Sequence, residues 1–165
     1  MKIWMILGIV LLIGLCTFIG IKYFPWEPKM NPSGLKKMWY SEGDGGWSYG
    51  YHYDLKEKEG TYLLTFEQSF PESYKKEKNL TADEVKKLEE VIYNGAFSQR
   101  NGFEKDNTDV LDGSSWSLNI RYQDGEQISA HGYESYPDDF WKKIPLLTSC
   151  LEDFLKTTEK ESMEE

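Results

Sequence analysis

Two cysteines and two histidines are the only thiols and imidazoles in this 165-residue chain. Cys16 lies in an N-terminal apolar run and Cys150 in a C-terminal helical repeat, so the pair is not placed to form an intrachain bridge. No Cys/His cluster has zinc-site spacing. Positive charge is also scarce: 19 Lys and Arg stand against 28 Asp and Glu, a formal net charge of -9. A surface of that sign repels phosphate backbones and anionic headgroups, which argues against nucleic acid as a partner. The chain lacks a G-x-S-x-G elbow, and no glycine loop is followed by Lys-Ser/Thr, so neither the hydrolase nucleophile nor the P-loop is present. The glycines of "GDGG" at 43–46 precede a strand pattern and read as a turn. No cofactor is implied.

What is abundant is apolar at one end and aromatic in the middle. Residues 3–21, "IWMILGIVLLIGLCTFIGI", carry no charge, and a helix of that length crosses roughly the hydrocarbon thickness of a bilayer. Trp4 sits at one end, and Tyr23, Phe24 and Trp26 lie at the other as interfacial anchors. Phe18 spoils a cleavage site after Gly20, and Leu15 spoils a lipoprotein signal at Cys16, so the run reads as an uncleaved anchor over 1–23. Lys22, Lys29, Lys36 and Lys37 follow the span and only Lys2 precedes it, which by charge alone favours a cytoplasmic C-terminal side. A short basic start before an apolar run is the form of an export signal, and the adopted expectation is an extracytoplasmic domain.

Residues 24–34, "FPWEPKMNPSG", hold three prolines and read as a stiff juxtamembrane linker. A soluble domain is expected over 35–157 and an acidic disordered tail over 158–165. Within the domain, strict alternation marks half-buried strands. In "WSYGYHYD", Trp47, Tyr49, Tyr51 and Tyr53 share one side, opposite Ser48, Gly50, His52 and Asp54. Tyr62, Leu64, Phe66 and Phe70 do the same, as do Trp116, Leu118, Ile120 and Tyr122. "KKMWYSE" reads as a first strand, "KEKEG" at 56–60 as a hairpin loop, and Asp124-Gly125 as a hairpin turn. "TADEVKKLEEVIYNG" is a helix with a Thr81–Glu84 capping box and Gly95 as a left-handed stop. A second helix follows Pro137 and is interrupted at Pro145. The expected fold is therefore α+β: an N-terminal transmembrane helix, then an antiparallel sheet of about five strands in the order β-β-β-α-β-β-α. Two helices cover one face. The aromatic side is expected to be core under those helices, with a glycan-stacking platform as the rival reading.

The candidate contacts follow from what the core does not use. His52 and His131 lie on polar sides of strands, where a pair with a carboxylate could bind metal or move a proton. The plainer reading is two separate surface imidazoles. Asp106, Asp109 and Asp112 form a weak calcium candidate, because Val110 breaks the alternation of oxygen ligands that an EF-hand loop needs. Tyr133 and Tyr136 in "HGYESYPDDF" either pack over the sheet end or face a ligand. With Arg121 they complete the proposed binding set of His52, Arg121, His131, Tyr133 and Tyr136.

The stretch "LDGSSWSLNIRYQDGEQISAHGYESYPDDF", residues 111–140, resembles a pattern in small bacterial, Firmicute-like α+β domains of unknown function. There an Asp-Gly turn, an alternating strand, a second Asp-Gly hairpin and a Gly-x-x-x-x-Pro loop precede a final helix. The resemblance extends over most of 35–156 and implies a domain behind a signal or membrane anchor, with no catalytic residues. The resulting expectation is a membrane-anchored, non-enzymatic module at the cell surface, binding a protein or an envelope component. The alternatives are an envelope glycan hydrolase using a carboxylate pair, and a structural subunit of a membrane complex.

Overall fold

The computed structural model describes residues 34–44, 50–69 and 72–161. The elements are β1 (Leu35–Asp44), β2 (Gly50–Lys58), β3 (Thr61–Gln68), β4 (Tyr74–Leu80), α1 (Ala82–Asn94), a 3-10 turn (Phe97–Arg100), β5 (Glu104–Asp106), β6 (Ser114–Tyr122), β7 (Gln127–Tyr133) and α2 (Phe140–Glu161). The seven strands form one sheet in the order β4-β3-β2-β1-β6-β7-β5. Every pairing is antiparallel except β5 with β7, which is parallel.

The expectation of about five antiparallel strands is thus overturned by a mixed sheet of seven. Both additions are edge strands with no apolar alternation. β4 reads "YKKEKNL", and only its last residue is buried. β5 is three exposed residues, Glu104, Lys105 and Asp106. Charged and short edges deter pairing with other chains, and that same polarity hides them from a search for hydrophobic period. The membrane span expected over 3–21 lies outside the described residues. Among the described residues no helix is long and apolar enough to cross a membrane. Trp47, Tyr49 and Phe70 also lie outside them.

Alternation explains where the core sits. Leu35, Met38 and Tyr40 of β1, Tyr53 and Leu55 of β2, Leu64 of β3, and Trp116, Leu118, Ile120 and Tyr122 of β6 are buried on one side of the sheet. Leu35 stays on that side although Tyr40 is five residues away, because the register shifts between Leu35 and Lys37 at a bulge. Val85, Leu88 and Ile92 of α1 and Phe140, Ile144, Leu147, Leu151 and Phe154 of α2 are buried with them. Polar contacts also join helices to this face. Glu89 Oε1 accepts from the Leu35 N–H at 2.7 Å. Lys78 Nζ donates to Glu84 Oε1 at 2.8 Å and to the Phe154 carbonyl at 3.0 Å.

Local details depart from simple turn rules. The capping box at Thr81 and Glu84 is complete. Gly95, expected as the left-handed stop, is right-handed at φ -69, and Ala96 takes the left-handed position at φ 52. Gly95 is required for room, since a Cβ there would meet the buried Phe97 ring. The β2–β3 hairpin turns at Glu59 and Gly60 alone, both with positive φ, and Lys56–Lys58 continue the strand. Residues of α2 on both sides of Pro145 belong to one helix.

Candidate functional site

The uncovered side of the sheet carries the polar members of each alternation. Register sorts them into three transverse rows, with neighbouring strands about 4.8 Å apart. The first row runs Lys75, Glu67, His52, Ser41, Ser117, His131, Glu104 from β4 to β5. The second runs Glu77, Thr65, Asp54, Trp39, Asn119, Ser129. The third runs Asn79, Leu63, Lys56, Lys37, Arg121, Gln127.

The first row is internally bonded. Ser41 and Ser117 share a hydrogen bond at 2.8 Å. His52 Nε2 lies 3.5 Å from Glu67, which lies 3.3 Å from Lys75. His131 Nε2 is 3.8 Å from Asp106. The two histidines therefore share a row but are separated by the two serine-bearing strands, a gap of roughly 14 Å at strand spacing. They do not form a pair. In the second row, Trp39 stacks on His52 with ring centroids 4.3 Å apart and planes at 20°. Asp54 is buried on this otherwise open side; Oδ2 pairs with Lys56, and Oδ1 has no partner among the described residues.

The other expected contacts are structural. The Tyr133 hydroxyl accepts from the Gly113 N–H at 2.8 Å and lies 3.1 Å from the Leu111 carbonyl, so it holds the 107–113 loop to the sheet. Tyr136 packs between Phe140 and Trp141, with centroids 4.9 and 4.8 Å away. Gly132 leaves room for Trp116, whose indole N–H donates to the Ser135 carbonyl at 2.9 Å. Asp139 is drawn to the buried Arg100 guanidinium. The loop after β7 is thereby tied down on several sides.

Asp106, Asp109 and Asp112 do not converge. Asp106 faces His131, while the Asp109 N–H bonds to Asn107 in a local turn. Among the described residues no group of three or more His, Cys, Asp or Glu is placed to hold a metal ion. On the covered face, Glu42 accepts from the Tyr40 and Tyr51 hydroxyls at 2.8 and 2.7 Å. Burial raises both phenols above the usual tyrosine range and Glu42 raises them further, so they stay protonated donors.

Two adjoining grooves open on the uncovered face and share Lys37 and Arg121. One, of about 260 Å³, is also lined by Trp39, Asn119 and Gln127 and by no acid. The other, of about 540 Å³, holds Lys36, Lys56, Lys58 and Leu63 and a single acid, Glu57. Neither presents the two carboxyl groups that glycoside cleavage requires. The sequence singled out His52, Arg121 and His131, which all lie on this uncovered face, and did not single out Trp39, Lys37 and Lys56 beside them. The available signal was Trp39 on the polar side of "KKMWYSE", opposite Met38 and Tyr40. No protein-family model matches the chain, and no curated protein is significantly similar to it.

Proposed function

We propose that the domain is a non-enzymatic binding module whose ligand surface is the uncovered sheet face, centred on Trp39, His52, Arg121 and Lys37. In this reading it is held at a membrane through the apolar run 3–21, on the outer side, and it meets a protein or envelope partner. The observation that carries the reading is the Trp39–His52 stack on a mostly polar face, beside two adjoining grooves. An indole on the solvent side of a sheet adds nothing to the core and offers a rigid contact surface. His131 extends the same row. Tyr133 and Tyr136, which have packing roles, drop out of the contact set.

The test uses the full chain with His52, Arg121 and His131 changed together to alanine. A partner that co-purifies with the unaltered chain is expected to be lost, with the thermal unfolding temperature essentially unchanged. Retention of the partner by the triple variant overturns the reading.

A further inference from the structure

The chain has nine more acids than bases, yet five of its 19 basic residues line one groove with one acid. That acid, Glu57, is already engaged, accepting the Gly60 N–H at 2.7 Å in the hairpin turn. At the centre, Lys37 is the direct cross-strand partner of both Lys56 and Arg121. Three like charges in register on the three central strands repel one another, which costs the sheet stability. Lys56 is paired with Asp54, but among the described residues Lys37, Lys58 and Arg121 make no ion pair. With 28 acids in the chain, a neutral row was readily available, and the fold does not use one.

We infer that this groove binds a ligand bearing phosphate groups with at least two negative charges. The assignment deepens the binding-module reading above and rests on it for the choice of face. Cationic side chains on adjacent strands, with backbones about 5 Å apart, suit a multivalent anion better than a lone carboxylate, which would neutralise only one of them. Arg121 supplies a planar fork for two phosphate oxygens, and the lysines supply mobile point charges. Leu63 and the lysine stems give the groove an apolar floor, which accommodates the organic part of a phosphate ester. Net charge misleads here, because the sum over the chain conceals a local field of opposite sign. The phosphate could belong to a soluble compound or to a lipid headgroup, and the two sources are separable.

The full chain in nonionic detergent would be titrated calorimetrically with tripolyphosphate. A second titration would use detergent micelles doped with cardiolipin, whose headgroup holds two phosphates, or with phosphatidylcholine. Lys37→Gln/Arg121→Gln is expected to weaken binding at least tenfold. Lys86→Gln/Lys142→Gln, which removes the same charge from the two helices, should leave it within twofold. Saturable binding of tripolyphosphate supports the assignment with a soluble ligand. Binding of cardiolipin micelles alone supports it with a lipid headgroup. Binding of neither probe, or equal weakening by both double variants, overturns it. A chain that keeps its co-purifying partner but binds neither probe retains the open-face reading and loses the phosphate assignment. A chain that binds tripolyphosphate through Lys37 and Arg121 but has no partner on that face loses the partner and keeps the phosphate site.

Discussion

On the covered face Met38, Tyr40, Leu118 and Ile120 are each at most 1% exposed. Their sequence neighbours Lys37, Trp39, Asn119 and Arg121 point the other way and stay half-buried or exposed. The same two strands thus build a packed core and a charged, grooved surface one residue out of phase. On the first face, position is decided by burial, and Lys78 is matched by Glu84 and the Phe154 carbonyl, and Glu42 by two phenols. On the second, three cations are aligned in register, and only Lys56, paired with Asp54, has an acidic partner among the described residues. Stability accounts for the first arrangement. It does not account for the second, and this is the physical ground for placing function there.

The comparison is broken most severely in the core. Phe140→Ala, which empties the site between Trp116, Tyr136 and Trp141, should cost about 3–5 kcal/mol in urea unfolding. A loss below about 1 kcal/mol would show that α2 does not close that end of the core. Lys78→Ala should follow, at about 1–3 kcal/mol, because it leaves Glu84 and a carbonyl with no ammonium partner. Glu84 adds a pH signature. Burial pushes its carboxyl up, but hydrogen bonds from Lys78 and Thr81 outweigh this and hold it below the ordinary range. A depressed folded value means that its contribution is present above the unfolded value of about 4.3 and is lost as pH falls through the folded one. The stability gap between wild type and Glu84→Gln should therefore close on acidification below about pH 4. A gap independent of pH would remove the charge from the explanation. Thr81→Ala should cost about 1 kcal/mol through loss of the cap, read from the same unfolding curves.

How much of this was legible in the sequence divides along the same line. The alternation at Tyr62–Phe66 and Trp116–Tyr122 marked the covered face, because burial imposes a period of two. The Thr81 cap was legible because its chemistry is local. β4 and β5 were not, since edge strands satisfy the ladder without apolar residues. The role of Gly95 was misassigned because the constraint comes from the Phe97 ring and not from its own φ. The cationic row was illegible for a deeper reason. Lys37, Lys56 and Arg121 lie far apart in the chain, and only strand register aligns them. For Tyr133 and Tyr136 the sequence left packing and ligand contact both open, and hydrogen bonds and ring packing fix both side chains.

The smallest expected effect is also the most telling. Lys37→Gln/Arg121→Gln removes two of the three aligned charges, and relief of like-charge repulsion should leave the fold as stable as before or stabler by about 0.2–1 kcal/mol. Salt should raise the stability of the wild type more than that of the variant, because only the wild type has the repulsion to screen. Denaturant unfolding of this pair at low ionic strength tests the central claim that the open face is kept for binding at the expense of the fold. The account predicts an unfolding midpoint equal to or above that of the wild type. A midpoint lowered to an extent approaching that of Phe140→Ala would mean that the cations hold the sheet together, and the division of labour between the two faces would be contradicted.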